Sequence, residues 1–198
     1  MARSGDVIHN PLQGQTVRFI ETSSEMNGEL VRFEAAVAPG GFVPRSHRHW
    51  RQEERFQVVS GTIGIRLGRE APIHAAAGQE LKLPPNTPHI WWNDGHVEAV
   101  AVVELRPALD FDIFLETLFG LARVGKTDPK GNPGLIQSAV LARRYSCYLS
   151  SPPVMLQRPG VWLLSQVGRR LGYHDAFTES GQSAQGEPSS SPGLAYRN

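Results

Sequence analysis

The chain is short of cysteine, of lysine and of long hydrophobic runs, and neither sign of charge prevails. One cysteine, Cys147, among 198 residues excludes an intramolecular disulfide and fits a reducing compartment. No apolar run approaches the roughly 20 residues that a membrane-spanning helix needs. Residues Met1 to Gln15 are polar, contain Pro and Gly, and lack the basic-then-apolar order of a signal peptide. A cytoplasmic location without a membrane partner is therefore expected. A net charge of +1, from 20 basic and 19 acidic residues, gives no basis for a nucleic-acid partner. Only three of the basic residues are lysine (82, 126 and 130), a bias that assigns no function by itself. No helix-turn-helix pattern precedes the strand-rich region, which argues against a transcription regulator.

What is present is an ordinary globular composition, 40% hydrophobic and 20% charged, with length for one domain plus appendages. Short alternating segments fill the first half. Val17 and Phe19 share one side of a segment from Thr16 to Ser23. Val31, Phe33, Ala35 and Val37 form the apolar face of a strand over Leu30 to Ala38. Ser60-Gly61 reads as a hairpin turn into Thr62 to Leu67, Gly68-Arg69-Glu70 as the next turn, and Ile73 to Ala77 as a weaker strand. Leu81 and Leu83 follow Gly78, and His96 to Arg106 closes the series with Val97, Ala99, Ala101, Val103 and Leu105 on one face. Such strands at regular spacing predict a β-sandwich or barrel.

Within this region, three histidines and a carboxylate fall at informative positions. His47 and His49 are two apart, so on a strand both imidazoles project from one face. A turn through Trp50 to Glu53 resets the register and lets a returning strand carry a carboxylate back. Beyond it Glu54 shares a face with Phe56 and Val58, while Glu53 shares the opposite one with Arg55 and Gln57. The apolar face is the buried one, so Glu54 and not Glu53 is the inward carboxylate. His89, Trp91 and Asn93 share a face of a later strand, after Pro84-Pro85-Asn86-Thr87-Pro88. Three imidazoles and one carboxylate converging inside a barrel make a divalent-metal site. Phe56 and Trp91 are the candidate substrate contacts, with core packing the competing role. Gln52, Glu53 and Gln57 are read as solvated or at an interface, and Trp50, Trp92, His74 and His96 as outer or surface residues. Arg48 is expected outward, and Asn93 is expected to be a structural hydrogen-bonder.

Gly41, His47, His49, Glu54 and Gly61 meet every position of the first motif of the cupins, and Gly78, Pro84, His89 and Asn93 meet the second. Asn86 stands where the second motif has Gly, and Asn tolerates a left-handed turn. The chain thus resembles the cupins over roughly Val17 to Arg106. The resemblance implies a cupin double-stranded β-helix, a jelly-roll barrel, with one divalent metal ion on His47, His49, Glu54 and His89. The donor set suits Fe(II), Mn(II), Ni(II) or Co(II), with Zn(II) a less favoured alternative because four such ligands close its tetrahedron.

At Pro107 the period changes from strand to helix. Phe111, Ile113, Phe114, Leu115, Leu118 and Ala122 predict an amphipathic helix with Asp110 as N-cap. Asn132-Pro133 reads as the cap and first residue of a second helix over Leu135 to Tyr145, and Val161 to Leu171 as a third, ended by Gly172. Residues 114–123 and the Leu135 to Tyr145 helix also resemble uncharacterised bacterial cupin-domain proteins with a helical C-terminal extension. Tyr145, Tyr148 and Tyr173 could reach a barrel mouth. The expected organisation is an arm (1–15), the barrel (16–108), a helical subdomain (109–175) and a disordered tail (176–198) rich in Ser, Gly, Gln, Glu and Pro.

Three functional readings follow. The first is a dioxygenase-like oxidoreductase on a small organic molecule, with Glu54 as ligand and proton acceptor. The second is a non-redox isomerase, cyclase or lyase using the metal as Lewis acid. The third is a non-catalytic small-molecule-binding module. Apolar residues on the outer barrel face (Trp92, Val100, Val102) predict a homodimer.

Overall fold

The computed structural model describes residues 2–177; the expectation of a disordered tail falls almost wholly on residues 178–198, outside the described residues. Two antiparallel sheets face each other, and the apolar sides of their strands make the core between them. One sheet runs in the order β1 (Val7–Asn10), β2 (Gln15–Glu21), β3 (Val31–Val37), β10 (Ala99–Arg106), β5 (Glu53–Ser60), β8 (Glu80–Leu83). The other runs β11 (Cys147–Leu149), β4 (His47–His49), β9 (His89–Asn93), β6 (Thr62–Leu67), β7 (Ile73–Ala76). Three helices follow the barrel strands: α1 (Phe111–Arg123), α2 (Leu135–Tyr145) and α3 (Val154–Arg170).

The alternation read from the sequence is the alternation of the sheet. Val31, Phe33, Ala35 and Val37 are buried, as are Ala99, Ala101, Val103 and Leu105 on the adjacent β10, which faces them in register. Val97 precedes β10 and is exposed. Residues 1–15 contribute β1, an edge strand on β2.

Ser60-Gly61 does not close a hairpin. β5 pairs with β10 and β8, and β6 pairs with β7 and β9, so the chain crosses here from one sheet to the other. The crossing requires glycine. Gly61 has φ +71°, and a Cβ on it would stand 2.8 Å from the Ala99 Cα. The turn after His49 is likewise a crossing, from β4 into β5 on the facing sheet, and not a return beside β4.

The helices depart from expectation at their beginnings. Asp110 occupies the N-cap of α1 but makes no side-chain cap; its carboxylate accepts from Arg144 at 2.5 Å. Helix α2 starts at Leu135 with Gly134 as N-cap, because Asn132 is held instead by the Asp128 carboxylate at 2.8 and 3.0 Å. Helix α3 starts at Val154, seven residues before the expected position, and runs through Pro159. Proline there removes one early hydrogen bond without stopping the helix. Helix α1 is locked to the barrel by buried Asp112, which accepts from the Ser23 hydroxyl at 2.5 Å and its amide at 3.3 Å.

The short strand β11 lies between α2 and α3 and pairs with β4. Cys147 lies opposite His49, Tyr148 opposite Arg48 and Leu149 opposite His47. The helical segment therefore contributes a strand to the barrel.

Candidate metal centre and its cavity

The two sheets bring the four expected ligands together from both sides. β4 supplies His47 and His49, and β9 supplies His89, whose backbone pairs with His47. Across the interior, β5 supplies Glu54. Parity decides the carboxylate: Glu54 is 4% exposed and faces in. Glu53 faces out and pairs with Arg55 at 2.7 Å and Lys82 at 2.9 Å.

Ligand nitrogens of His47, His49 and His89 lie within 4.8 Å of one another. Glu54 Oε2 stands 2.9 Å from His89 Nε2 and 3.5 Å from His49 Nε2. None of those three buried atoms has a partner in hydrogen-bond geometry among the described residues. The far sides of two rings are fixed: His47 Nδ1 meets the Arg45 carbonyl and His89 Nδ1 the Thr87 carbonyl, each at 3.0 Å. Donation from Nδ1–H to these carbonyls leaves the Nε2 lone pairs facing inward, the orientation that metal-binding histidines take from their outer partners. Buried nitrogen and oxygen atoms crowded around one point suit a cation. The residues present therefore fit the divalent ion that the cupin motifs imply.

Electrostatics favour neutral imidazoles at His47 and His49. Burial lowers both well below the ordinary histidine value, and the neighbouring His89 lowers each further. At His89 burial also acts downward, but the Glu54 carboxylate outweighs it and the net shift is upward. Without a cation, His89 is thus the ring that shares Glu54's charge.

Behind His49 stands Gln52, read from the sequence as solvated but only 1% exposed. Its Nε2 donates to the Pro107 carbonyl at 3.0 Å and the Ala108 carbonyl at 2.8 Å. Its presence opposes the downward shift at His49, although neither its Oε1 nor His49 Nδ1 has a partner in hydrogen-bond geometry among the described residues. The signal was available in the alternation, since Gln52 shares parity with Glu54, Phe56 and Val58. The Phe111 ring at the start of α1 packs edge-on against His49, centroids 5.1 Å apart.

The cluster opens into a cavity of about 250 Å³. His47, Glu54 and Trp91 form one end, and side chains of α1, α2 and α3 form much of the wall. Phe56 does not line it: it packs edge-on behind Trp91 at 5.6 Å, because the barrel interior needs filling there. Tyr148 and half-buried Cys147 line the cavity from β11. Burial, with the charge of Glu54 close by, pushes the Cys147 thiol up to about 12. Tyr145 is buried against Phe114 and donates to the Asp175 carbonyl at 2.6 Å.

The remaining motif residues are structural. Asn86 adopts φ +66°, the left-handed turn that Asn tolerates in place of Gly, and accepts from Arg48, which points away from the cluster. Asn93 donates to the Val37 and Val97 carbonyls, both at 2.8 Å. Surface His74 pairs with Asp94.

Residues 33–104 match the family described as Cupin domain, and the barrel is a cupin domain. A curated relative, "Probable oxidoreductase virH" of Hypocrea virens, is 28% identical over 153 residues, covering 69% of this chain and 67% of that protein. Among solved structures, a Klebsiella pneumoniae protein with a double-stranded beta-helix domain is 19% identical. It aligns over 56% of this chain and 84% of its own, with a TM-score of 0.42. Streptomyces Pac13, a nucleoside dehydratase, is 17% identical over 53% of this chain and 78% of its own, with a TM-score of 0.43. Among the described residues no helix is long and apolar enough to cross a membrane.

Proposed function

We propose that the protein is a metal-dependent oxidoreductase acting on a small organic molecule by dioxygenase-like chemistry, with His47, His49, Glu54 and His89 as ligands. The observation that carries this reading is the group of buried, unpartnered acceptors opening into a cavity. The oxidoreductase named as a relative supports the reaction class. When bound, a divalent ion in this donor set supplies a Lewis acid and, for Fe(II), Mn(II) or Co(II), a redox centre.

The chain's own residues do the rest. His47 and His49, kept neutral by burial, would hold such an ion without competing protons. Glu54, the one carboxylate among the lining residues, would be the proton acceptor for a substrate bound in the cavity. Trp91 walls the substrate's reacting end, and the helices exclude water from it. The apolar outer-face residues Val100 and Val102 of β10 support a homodimer; Trp92 lies on the other sheet, packed over Gly64.

Metal analysis of protein purified without added metal, followed by oxygen-uptake assays with candidate substrates, tests the proposal. Bound Fe(II), Mn(II), Ni(II) or Co(II) with substrate-dependent oxygen consumption is expected. Turnover without oxygen consumption overturns the redox part and leaves Lewis-acid isomerase, cyclase or lyase chemistry. Metal and ligand binding without turnover makes the protein a binding module.

A further inference from the structure

The cavity is chemically two-sided. The His47 imidazole and the Glu54 carboxylate occupy one end. Beyond them the walls are phenyl and aliphatic: Phe111, Phe114 and Leu118 from α1, Leu141 from α2, and Val161 and Leu164 from α3. Polar side chains also line it, but apart from the Tyr148 hydroxyl most of their donors are already engaged. Gln15 donates to the Phe42 carbonyl at 2.8 Å, Ser138 to the Pro133 carbonyl at 2.9 Å and Gln157 to the Leu149 carbonyl at 2.9 Å. Asn132 is held by Asp128. Arg45, the one cation among the lining residues, is half exposed and faces the Asp128 carboxylate at 4.0 Å.

A sugar, a nucleoside or a phosphate ester entering this space would bury hydroxyl or charged groups against hydrocarbon, a cost that unpartnered polar groups always carry. A flat apolar body would instead lie among the rings of Phe111, Phe114 and Trp91 without leaving a donor unmet. We infer that the substrate is an uncharged, largely hydrocarbon molecule, aromatic or polycyclic, whose single oxygen-bearing end is presented to the imidazole–carboxylate cluster. The choice of reacting end rests on the function proposed above; the choice of molecular class rests on the walls alone.

Calorimetry on the full chain tests this, in metal-free and metal-loaded forms, with 2-naphthol, uridine and glucose 6-phosphate as probes. The metal-free protein should bind 2-naphthol at least tenfold more tightly than either polar probe. Leu118→Asn places an amide in the apolar wall and should weaken 2-naphthol binding by roughly tenfold while leaving metal content unchanged. Val161→Asn, at a half-buried position on a different helix, should do the same and serves if the first variant does not fold. Tighter binding of a polar probe, or unchanged 2-naphthol binding in a folded variant, overturns the assignment. Metal uptake without 2-naphthol binding overturns the molecular class and leaves the metal reading standing. Binding of 2-naphthol by a protein that takes up no metal does the reverse.

Discussion

Gln52 links the approach to β5 with the start of the helical segment: its Nε2 donates to the backbone of Pro107 and Ala108, and its presence beside His49 favours the protonated imidazole. The side chain therefore does two jobs that substitution can separate. Gln52→Leu removes both and should lower metal affinity ten- to a hundredfold, the range for losing an outer partner of a ligand, and lower the melting temperature. Gln52→Glu keeps an acceptor for the ring and loses the two donors, so it should retain metal while losing stability. Chelator competition and thermal denaturation read the two effects. Equal metal loss in both variants would remove the positioning role.

The choice between adjacent carboxylates is equally direct. Glu54→Ala should lose most bound metal, as should His47→Ala, His49→Ala or His89→Ala, whereas Glu53→Ala should retain it. Metal analysis of purified variants decides the matter, and the opposite result for the two glutamates would place the ligand on the outer face of β5.

Cys147 should be inert. Its thiol, raised to about 12 by burial, carries at pH 8 roughly a thousandth of the thiolate of a free cysteine near 8.5. Iodoacetamide labelling followed by mass spectrometry should be slower by about that factor in the native chain than in the denatured one, accelerating tenfold per pH unit well below 12. Comparable native and denatured rates at pH 8 would contradict the enclosure of this side chain.

Asp112→Ala should loosen α1 from the barrel. It strands the buried Ser23 hydroxyl and amide, and leaving such groups unsatisfied costs about 1–3 kcal/mol each. Chemical denaturation should show a stability loss of about 2–6 kcal/mol, the sum over the two groups. A wild-type midpoint would mean that the Ser23–Asp112 contact contributes nothing to docking.

Light scattering should give about twice the chain mass of 21.8 kDa if the outer sheet face is the proposed homodimer contact. Val100→Lys, on that face, should return the protein to monomer. A monomeric wild type would leave the face simply exposed.

Much of the site was legible because strand parity is a strict rule. Two-residue spacing put His47 beside His49, and the apolar partners Phe56 and Val58 distinguished Glu54 from Glu53. What alternation cannot show is which strand neighbours which. The crossing at Gly61 looks like a hairpin because both need a positive φ at a tight turn. β11 spans only Cys147–Leu149, too few residues to show a period, and it is a strand because β4 offers it an edge. The early start of α3 was hidden by Pro159, which lies inside the helix, past its first turn, where proline removes a hydrogen bond and normally argues for a break.

That three-residue strand sets what can be cut from what. The recognisable cupin stretch ends at residue 104, yet the strand bearing His47 and His49 has β9 on one edge and β11, some forty residues further on, on the other. A transplant or excision drawn at the family boundary would leave that edge bare and the hydrocarbon side of the cavity open to water. The inherited module and the autonomous folding unit are therefore different lengths of this chain, and only the longer one should survive alone.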